Sequence, residues 1–117
     1  KALLAAQREG GLEGLPAKLI KFTPTTITDR DALKVELSKA ARVGYAINRG
    51  EWREGVGGIA SPIFNGFERP IAAIGISGPL ERLTPAKMKQ FAPRVIEVAA
   101  ELSRAMGYVK GYFNEAV

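Results

Sequence analysis

The sequence predicts an α+β domain in which helices pack on one face of an antiparallel sheet. The 117 residues contain helical segments before and after a group of short apolar segments, and that group includes a hairpin signal. Strands that are grouped between helices, rather than alternating with them, are typical of α+β folds. The length suits a single domain.

Two helices are predicted before the strands. Lys1 to Arg8 combines strong helix formers with no breaker, and because no capping residue precedes it, we expect this chain to be truncated. A short irregular or extended link follows at 17–23. The second helix is expected to run from Asp29 to Val43, with Thr28 as its N-cap and Gly44 after its last residue.

Three apolar segments form the predicted sheet: Tyr45–Asn48, Gly58–Phe64 and Pro70–Ser77. The dipeptide Asn65-Gly66 predicts a tight hairpin turn between the second and third strands. Pro62 lacks an N–H group and favours an edge or a bulge. Three strands leave an exposed edge, so we expect further strands from a preceding segment or from another subunit.

The last helix is the strongest prediction and extends over Thr84–Met106. Thr84 caps it, Pro85 occupies its first turn, and Pro93 is expected to bend it. The tail at 109–117 has no predicted structure. An apolar stripe at steps of three and four residues is expected to form the core face of the helix; it consists of Met88, Phe91, Val95, Val98, Leu102 and Ala105.

The composition excludes several kinds of chemistry. The chain has no cysteine and no histidine, which removes disulfides, thiol nucleophiles, histidine bases and the usual zinc sites. No apolar run approaches the ~20 residues that span a bilayer, so we expect a cytoplasmic protein without a membrane partner. Scattered charges, 17 basic and 12 acidic for a net +5, indicate a solvated surface rather than a DNA-binding face.

Few residues suggest catalysis. Ser77 lies in a Gly-Ile-Ser-Gly-Pro segment that lacks the spacing of a nucleophile elbow, and Glu51 and Glu54 are expected to be solvated. Trp52, between those two carboxylates, is interpreted either as a lid or as a plug over the core. The glycines at 55–58 precede a strand rather than a helix, so they indicate a tight turn and not a phosphate loop.

Several spaced motifs resemble the effector-binding domain of the IclR family over residues 1 to about 108. The start KALLA and the helix entry TPTTITDRDAL are similar to family segments. The remaining marks occur in family order: Gly44-Tyr45, Glu51, Gly55-Val56, Ile59-Ala60-Ser61-Pro62-Ile63, Ile76-Ser77-Gly78-Pro79 and Arg82-Leu83-Thr84.

This resemblance implies a ligand-sensing domain of a bacterial transcription regulator. It implies a GAF-like fold, present here as the C-terminal part of the effector domain at 1–108, with 109–117 as a tail. Family effectors are small organic or aromatic acids, and family members form homodimers or homotetramers. DNA would be bound only through a winged helix-turn-helix domain that this chain lacks.

The resemblance places five effector-binding residues: Asn48, Val56, Gly58, Gly75 and Ser77. Gly75 and Ser77 are two apart and therefore share a face of a strand. Many family members carry Asp, Cys and Ser where this chain has Asn48, Gly58 and Gly75, so we expect a roomier, less anionic pocket and a larger or more apolar effector. No catalytic residue, metal site or cofactor is expected.

Two alternatives remain at this point. The domain could serve oligomerisation after losing its ligand, because glycines occupy two of the pocket positions. A small enzyme that uses Glu51 or Ser77 is the second alternative, and the absence of histidine and cysteine argues against it.

Overall fold

The computed structural model describes residues 1–7 and 12–113 and confirms the α+β class. This part of the chain folds into three helices and three strands. In chain order they are α1 (Ala2–Ala6), α2 (Arg30–Val43), β1 (Ala46–Arg49), β2 (Val56–Phe64), β3 (Pro70–Pro79) and α3 (Pro85–Ala105).

The strands form an antiparallel sheet in the order β1-β2-β3. β1 pairs with β2 only over Gly57–Ala60, whereas β3 pairs with β2 over almost its whole length. At Pro62, therefore, β2 has a strand on one side only, which agrees with the edge position expected for proline. The register is irregular between Ile63 and Phe64.

The predicted hairpin is confirmed, and its connection extends beyond Asn65-Gly66. Residues 65–69 connect the strands. The side-chain Oδ1 of Asn65 accepts hydrogen bonds from the backbone N–H groups of Phe67 at 2.9 Å and Arg69 at 3.1 Å. Glu68 takes the left-handed conformation, with φ of 64°. Asn65 thus closes a longer loop through its side chain.

Helices cover both faces of the sheet, so the expectation of one covered face is wrong. Ala46 and Ala60, which pair across β1 and β2, pack in a cluster with residues of α1 and α2. Ile59 points to the opposite face and packs against Ala92 and Val95 of α3. Because neighbouring residues of a strand face opposite sides, β2 is the middle layer between two helical layers.

α2 begins one residue later than predicted. Asp29 is its N-cap and accepts a hydrogen bond from the N–H of Ala32 at 3.2 Å. Thr28, the expected cap, instead offers its backbone carbonyl to the N–H of Leu19 at 2.6 Å. This pairing of the preceding link with the helix entry fixes Thr28 in an extended segment and moves the cap to Asp29.

α3 has the predicted length, and its predicted core face is confirmed only in part: Met88 and Val95 are buried, whereas Phe91 and Val98 are half-buried. Thr84 caps it as expected, by accepting from the N–H of Lys87 at 3.2 Å. Leu102 is 39% exposed and Ala105 is also exposed, because smaller side chains let the helix approach the sheet more closely. The buried residues of α3 are Met88, Ala92, Val95, Ile96, Ala99, Ala100 and Ser103.

The C-terminal end of the described part packs on β2 in an aromatic cluster. The ring of Phe64 stacks on Tyr108 with centroids 4.6 Å apart and contacts Tyr112 at 4.9 Å and Phe113 at 5.9 Å. Ala6, the last residue of α1, packs in the same cluster. α1 is shorter than the predicted 1–8, and Arg8 and the tail residues 114–117 lie outside the described residues.

Candidate functional site

A cavity of about 520 Å³ opens on the face of the sheet that carries Ala46 and Ala60. Its floor comes from all three strands, and its walls come from the start of α1 and from loop residues including Phe22 and Trp52. Sites for small molecules typically measure about 300–1,000 Å³. The cavity therefore has the size of a small-molecule site.

The floor consists of two rows of residues that run across the strands. The strand register aligns Asn48 with Gly58 and Gly58 with Ser77. It also aligns Ala46 with Ala60 and Ala60 with Gly75. Since strands lie about 4.8 Å apart, the two polar residues are separated by roughly 10 Å, with only a glycine between them.

Four of the five predicted site residues therefore meet in one cavity: Asn48, Gly58, Gly75 and Ser77. The fifth, Val56, belongs to the same face of β2 but to the next row, where it pairs with Pro79. The structure places Val56 outside the cavity lining. It is 37% exposed at the start of the strand.

The two polar floor residues offer neutral donors. Asn48 Oδ1 accepts a hydrogen bond from the N–H of Glu51 at 3.0 Å, which leaves its NH₂ group without an acceptor among residues 1–7 and 12–113. In the same part of the chain, the Ser77 hydroxyl makes no hydrogen bond. An amide NH₂ supplies two donors and a hydroxyl one donor and two acceptor sites, so this row can bind a carboxylate.

One ion pair closes the α1 end of the cavity. Lys1 Nζ lies 2.6 Å from Glu51 Oε1 and also donates to the carbonyl of Ile47 at 2.8 Å. The two side chains are only 17% and 18% exposed, so the expectation that Glu51 is solvated is wrong, whereas Glu54 is exposed as predicted. The pair leaves little net charge on this wall.

The two floor glycines allow the strands to approach closely. A Cβ atom on Gly75 would lie 2.0 Å from the carbonyl oxygen of Ile59, and one on Gly58 would lie 2.7 Å from that of Ile76. No side chain fits at these positions unless backbone moves. At these two positions the floor of the cavity therefore consists of backbone atoms, and the glycines do not add empty volume.

Two residues that line the cavity were not predicted from the sequence. Phe22, in the link that was predicted only as irregular or extended, lines the cavity. Lys1 does so as well. Trp52 is 59% exposed and lines the cavity, so it does not plug the core. The one signal for Phe22 was its position directly before the TPTT segment.

A second cavity of about 460 Å³ lies beside the aromatic cluster and is lined by Phe64, Tyr108 and Lys110, among others. Within the described ranges, no group of acidic residues could hold a metal ion. None of the helices described combines the length and the hydropathy needed to cross a membrane.

The layered fold and the sheet-floored cavity define an α+β domain of the GAF-like class. Residues 1–104 match the family "Bacterial transcriptional regulator IclR C-terminal". The chain belongs to this family. The family and the relatives that match are transcriptional regulators and not enzymes, so the enzyme alternative falls away.

Curated relatives cover most of this chain. It is 37% identical over 109 residues to the transcriptional repressor AllR of Escherichia coli K12. This match covers 92% of the chain and 40% of AllR. It is 38% identical over 108 residues to the regulator BhcR of Paracoccus denitrificans, covering 91% of the chain and 39% of BhcR. The chain thus spans about two fifths of these relatives.

Solved structures show the same fold. Thermotoga maritima IclR superposes with a TM-score of 0.81 at 32% identity, over 92% of this chain and 44% of that protein. The inducer-binding domain of PobR from Acinetobacter, a double mutant in complex with 3-hydroxybenzoic acid, gives a TM-score of 0.72 at 29% identity. That match covers 87% of this chain and 60% of the PobR domain.

Proposed function

We propose that residues 1–108 form part of the ligand-sensing domain of a bacterial transcription regulator. The domain binds a small organic or aromatic acid in the 520 Å³ cavity. Ligand binding is transmitted to a DNA-binding winged-helix domain outside these 117 residues, and 109–117 is a tail. The parent protein acts in the cytoplasm, without a cofactor or a membrane partner.

The observation that carries this proposal is the row of Asn48, Gly58 and Ser77 across the cavity floor. Its two ends carry donors that have no acceptor within the described part of the chain, and the rest of the floor is apolar. Ligand sites typically combine an apolar lining with a few convergent polar groups. The PobR complex with 3-hydroxybenzoic acid adds support, since that related domain binds an aromatic acid.

The arrangement of the walls suggests how binding is transmitted. The cavity is walled by the start of α1, whose other end packs on the aromatic cluster through Ala6. A ligand that binds one arrangement of α1 more tightly shifts the population toward it. In a homodimer or homotetramer, such a shift changes the relative placement of the DNA-binding domains.

Thermal unfolding of the intact protein with a panel of small acids and aromatic compounds tests this function. A ligand at a hundred times its Kd adds about 2.7 kcal/mol to the free energy of unfolding, which raises Tm by several degrees. We expect Ser77→Ala to remove most of that shift while the Tm without ligand stays unchanged. Ser38→Ala is the matched control, because Ser38 is exposed on α2 and bonds only to its own helix.

The alternative reading is an oligomerisation domain without a ligand. It would be favoured if none of the acids raised Tm. A Tm shift that Ser38→Ala and Ser77→Ala lowered equally would instead contradict the placement of the ligand at Ser77.

A further inference from the structure

We propose that Phe22 and Trp52 determine which ligands this cavity accepts, by selecting those that carry a flat aromatic ring. This inference rests on the proposed function and adds a specificity element to it. The two side chains, called here the aromatic wall, come from loops that are far apart in the sequence, and both line the cavity.

The aromatic wall is open to a ligand. Phe22 and Trp52 are each 59% exposed, although large apolar side chains tend to be buried. Neither ring contacts another aromatic ring of the described chain. Their exposed area lies beside an apolar floor, and exposed apolar patches of this kind mark binding sites.

Threonine hydroxyls hold the two loops together. Thr23 Oγ1 donates to the carbonyl of Gly50 at 2.5 Å, and Thr25 Oγ1 donates to the same carbonyl at 2.9 Å. Thr26 Oγ1 donates to the carbonyl of Glu51, the residue directly before Trp52. The wall is therefore built on a cross-bonded pair of loops and not on a free lid, which keeps its geometry fixed before a ligand arrives.

The backbone around Phe22 is fixed by the same threonines. The N–H of Phe22 donates to Thr26 Oγ1 at 3.1 Å, and the N–H of Thr23 donates to that oxygen at 2.9 Å. One hydroxyl thus links the backbone of Phe22 to the residue before Trp52. We infer that Thr26 is a positioning residue for the aromatic wall.

The charge distribution of the Trp52 ring also favours contact with an aromatic ring. The guanidinium carbon of Arg53 lies 4.7 Å from the centre of the indole ring. A cation over an aromatic ring is held by the negative face of that ring, so Arg53 fixes the indole in place. Offset or edge-to-face contact with a second ring gains free energy beyond the area that it buries, and a saturated ring of equal size lacks this gain.

The polar row and the aromatic wall together define the ligand. Because Lys1 and Glu51 neutralise each other, the donors of Asn48 and Ser77 are the groups left to bind a carboxylate. The ring of the same ligand then lies against Phe22 and Trp52. This arrangement favours an aromatic acid over an aliphatic acid of the same size.

Benzoate and cyclohexanecarboxylate separate the contribution of the aromatic ring from that of the carboxylate. Both carry a carboxylate on a six-membered ring, and only one of the rings is aromatic. Isothermal titration calorimetry on the intact protein gives the ratio of their two Kd values. We expect Trp52→Ala to weaken benzoate binding roughly tenfold and cyclohexanecarboxylate binding at most about threefold. Trp52→Phe, which keeps a ring, should restore most of the preference.

Phe67→Ala is the matched control, since Phe67 is an 85% exposed aromatic residue in the hairpin loop outside the cavity. It should leave both Kd values unchanged. Thr26→Ala should reduce the preference for benzoate without removing a ring, and Phe22→Leu should reduce it while keeping an apolar side chain. The Tm of the unliganded variants at positions 22 and 52 should remain close to that of the wild type, because both side chains are exposed.

Failure of this inference and failure of the proposed function give different binding results. If both acids bind, Ser77→Ala weakens both, and Trp52→Ala leaves their Kd ratio unchanged, the aromatic wall is not the specificity element and the proposed function stands. If neither acid binds the wild-type protein although an aliphatic acid of the panel raises its Tm, the aromatic wall does not select aromatic rings and the proposed function stands. If no acid of the panel binds, both proposals are contradicted.

Discussion

The two faces of the sheet differ in the residues that they carry: one face packs large apolar side chains, and the other carries small and polar residues. On the face that packs against α3, Ile59 is 2% exposed and Met88 of α3 is fully buried. On the other face, at the cavity, the donors of Asn48 and Ser77 have no acceptor among residues 1–7 and 12–113, and only Gly58 lies between these two residues. The alternation of side chains along a strand thus lets one strand stabilise the fold with one face and bind a ligand with the other.

Truncation on the α3 face should have the largest effect on stability. Met88→Ala removes a side chain that is fully buried between α3 and the sheet. We expect a loss of about 2–5 kcal/mol in the free energy of unfolding, measured by urea denaturation. The matched control is Met106→Ala, since Met106 is 51% exposed at the end of the same helix and should change stability by less than about 0.5 kcal/mol. Equal effects of the two changes would contradict the assignment of the buried face.

A change on the cavity face should act through the backbone rather than through lost packing. In Gly75→Ala the new methyl group would meet the carbonyl oxygen of Ile59, so we expect a loss of about 1–3 kcal/mol. Gly78→Ala in the same strand has its nearest contact at 3.7 Å, on the side chain of Leu83, and should be nearly neutral. Urea denaturation of the two variants measures this contrast. If Gly75→Ala were as stable as Gly78→Ala, the strands would not approach as closely as described.

The ion pair at the cavity wall should contribute more than an exposed one. Glu51→Gln leaves the Lys1 ammonium largely buried without a charged partner, and we expect it to cost about 1–2 kcal/mol. Glu97→Gln breaks the pair between Arg94 and Glu97, whose side chains are 69% and 57% exposed, and should cost less than about 0.5 kcal/mol. Thermal unfolding of both variants at low and high salt measures how much each ion pair contributes to stability. A larger effect of Glu97→Gln would contradict the distinction between the two pairs.

The elements of the fold could be predicted because their signals are local. Thr84 followed by Pro85 marks the start of α3, and Gly44 marks the end of α2. The N-cap of α2 was misplaced by one residue because Thr28 pairs with Leu19, and no local pattern shows that contact. The buried face of α3 was assigned only in part because the prediction gave weight to large side chains, whereas alanine and serine also face the sheet.

The cavity floor could be predicted only in part. The resemblance to the IclR family placed Asn48, Gly58, Gly75 and Ser77 in the site, and the two-residue spacing of Gly75 and Ser77 shows that these two share a face. The alignment of these residues in one row depends on the register between strands, which the sequence does not encode locally. Phe22 was missed for the same reason, since hydroxyl contacts over about 25 residues of sequence bring it to the cavity.

The position of a bound acid shows whether the cavity face of the sheet is the ligand site. A crystal structure of the intact protein with the tightest-binding acid of the panel would give this position. We predict that the carboxylate lies over Gly58, within hydrogen-bond distance of Asn48 Nδ2 or Ser77 Oγ. An acid found instead in the cavity beside Phe64 and Tyr108, with the floor of the sheet empty, would contradict it.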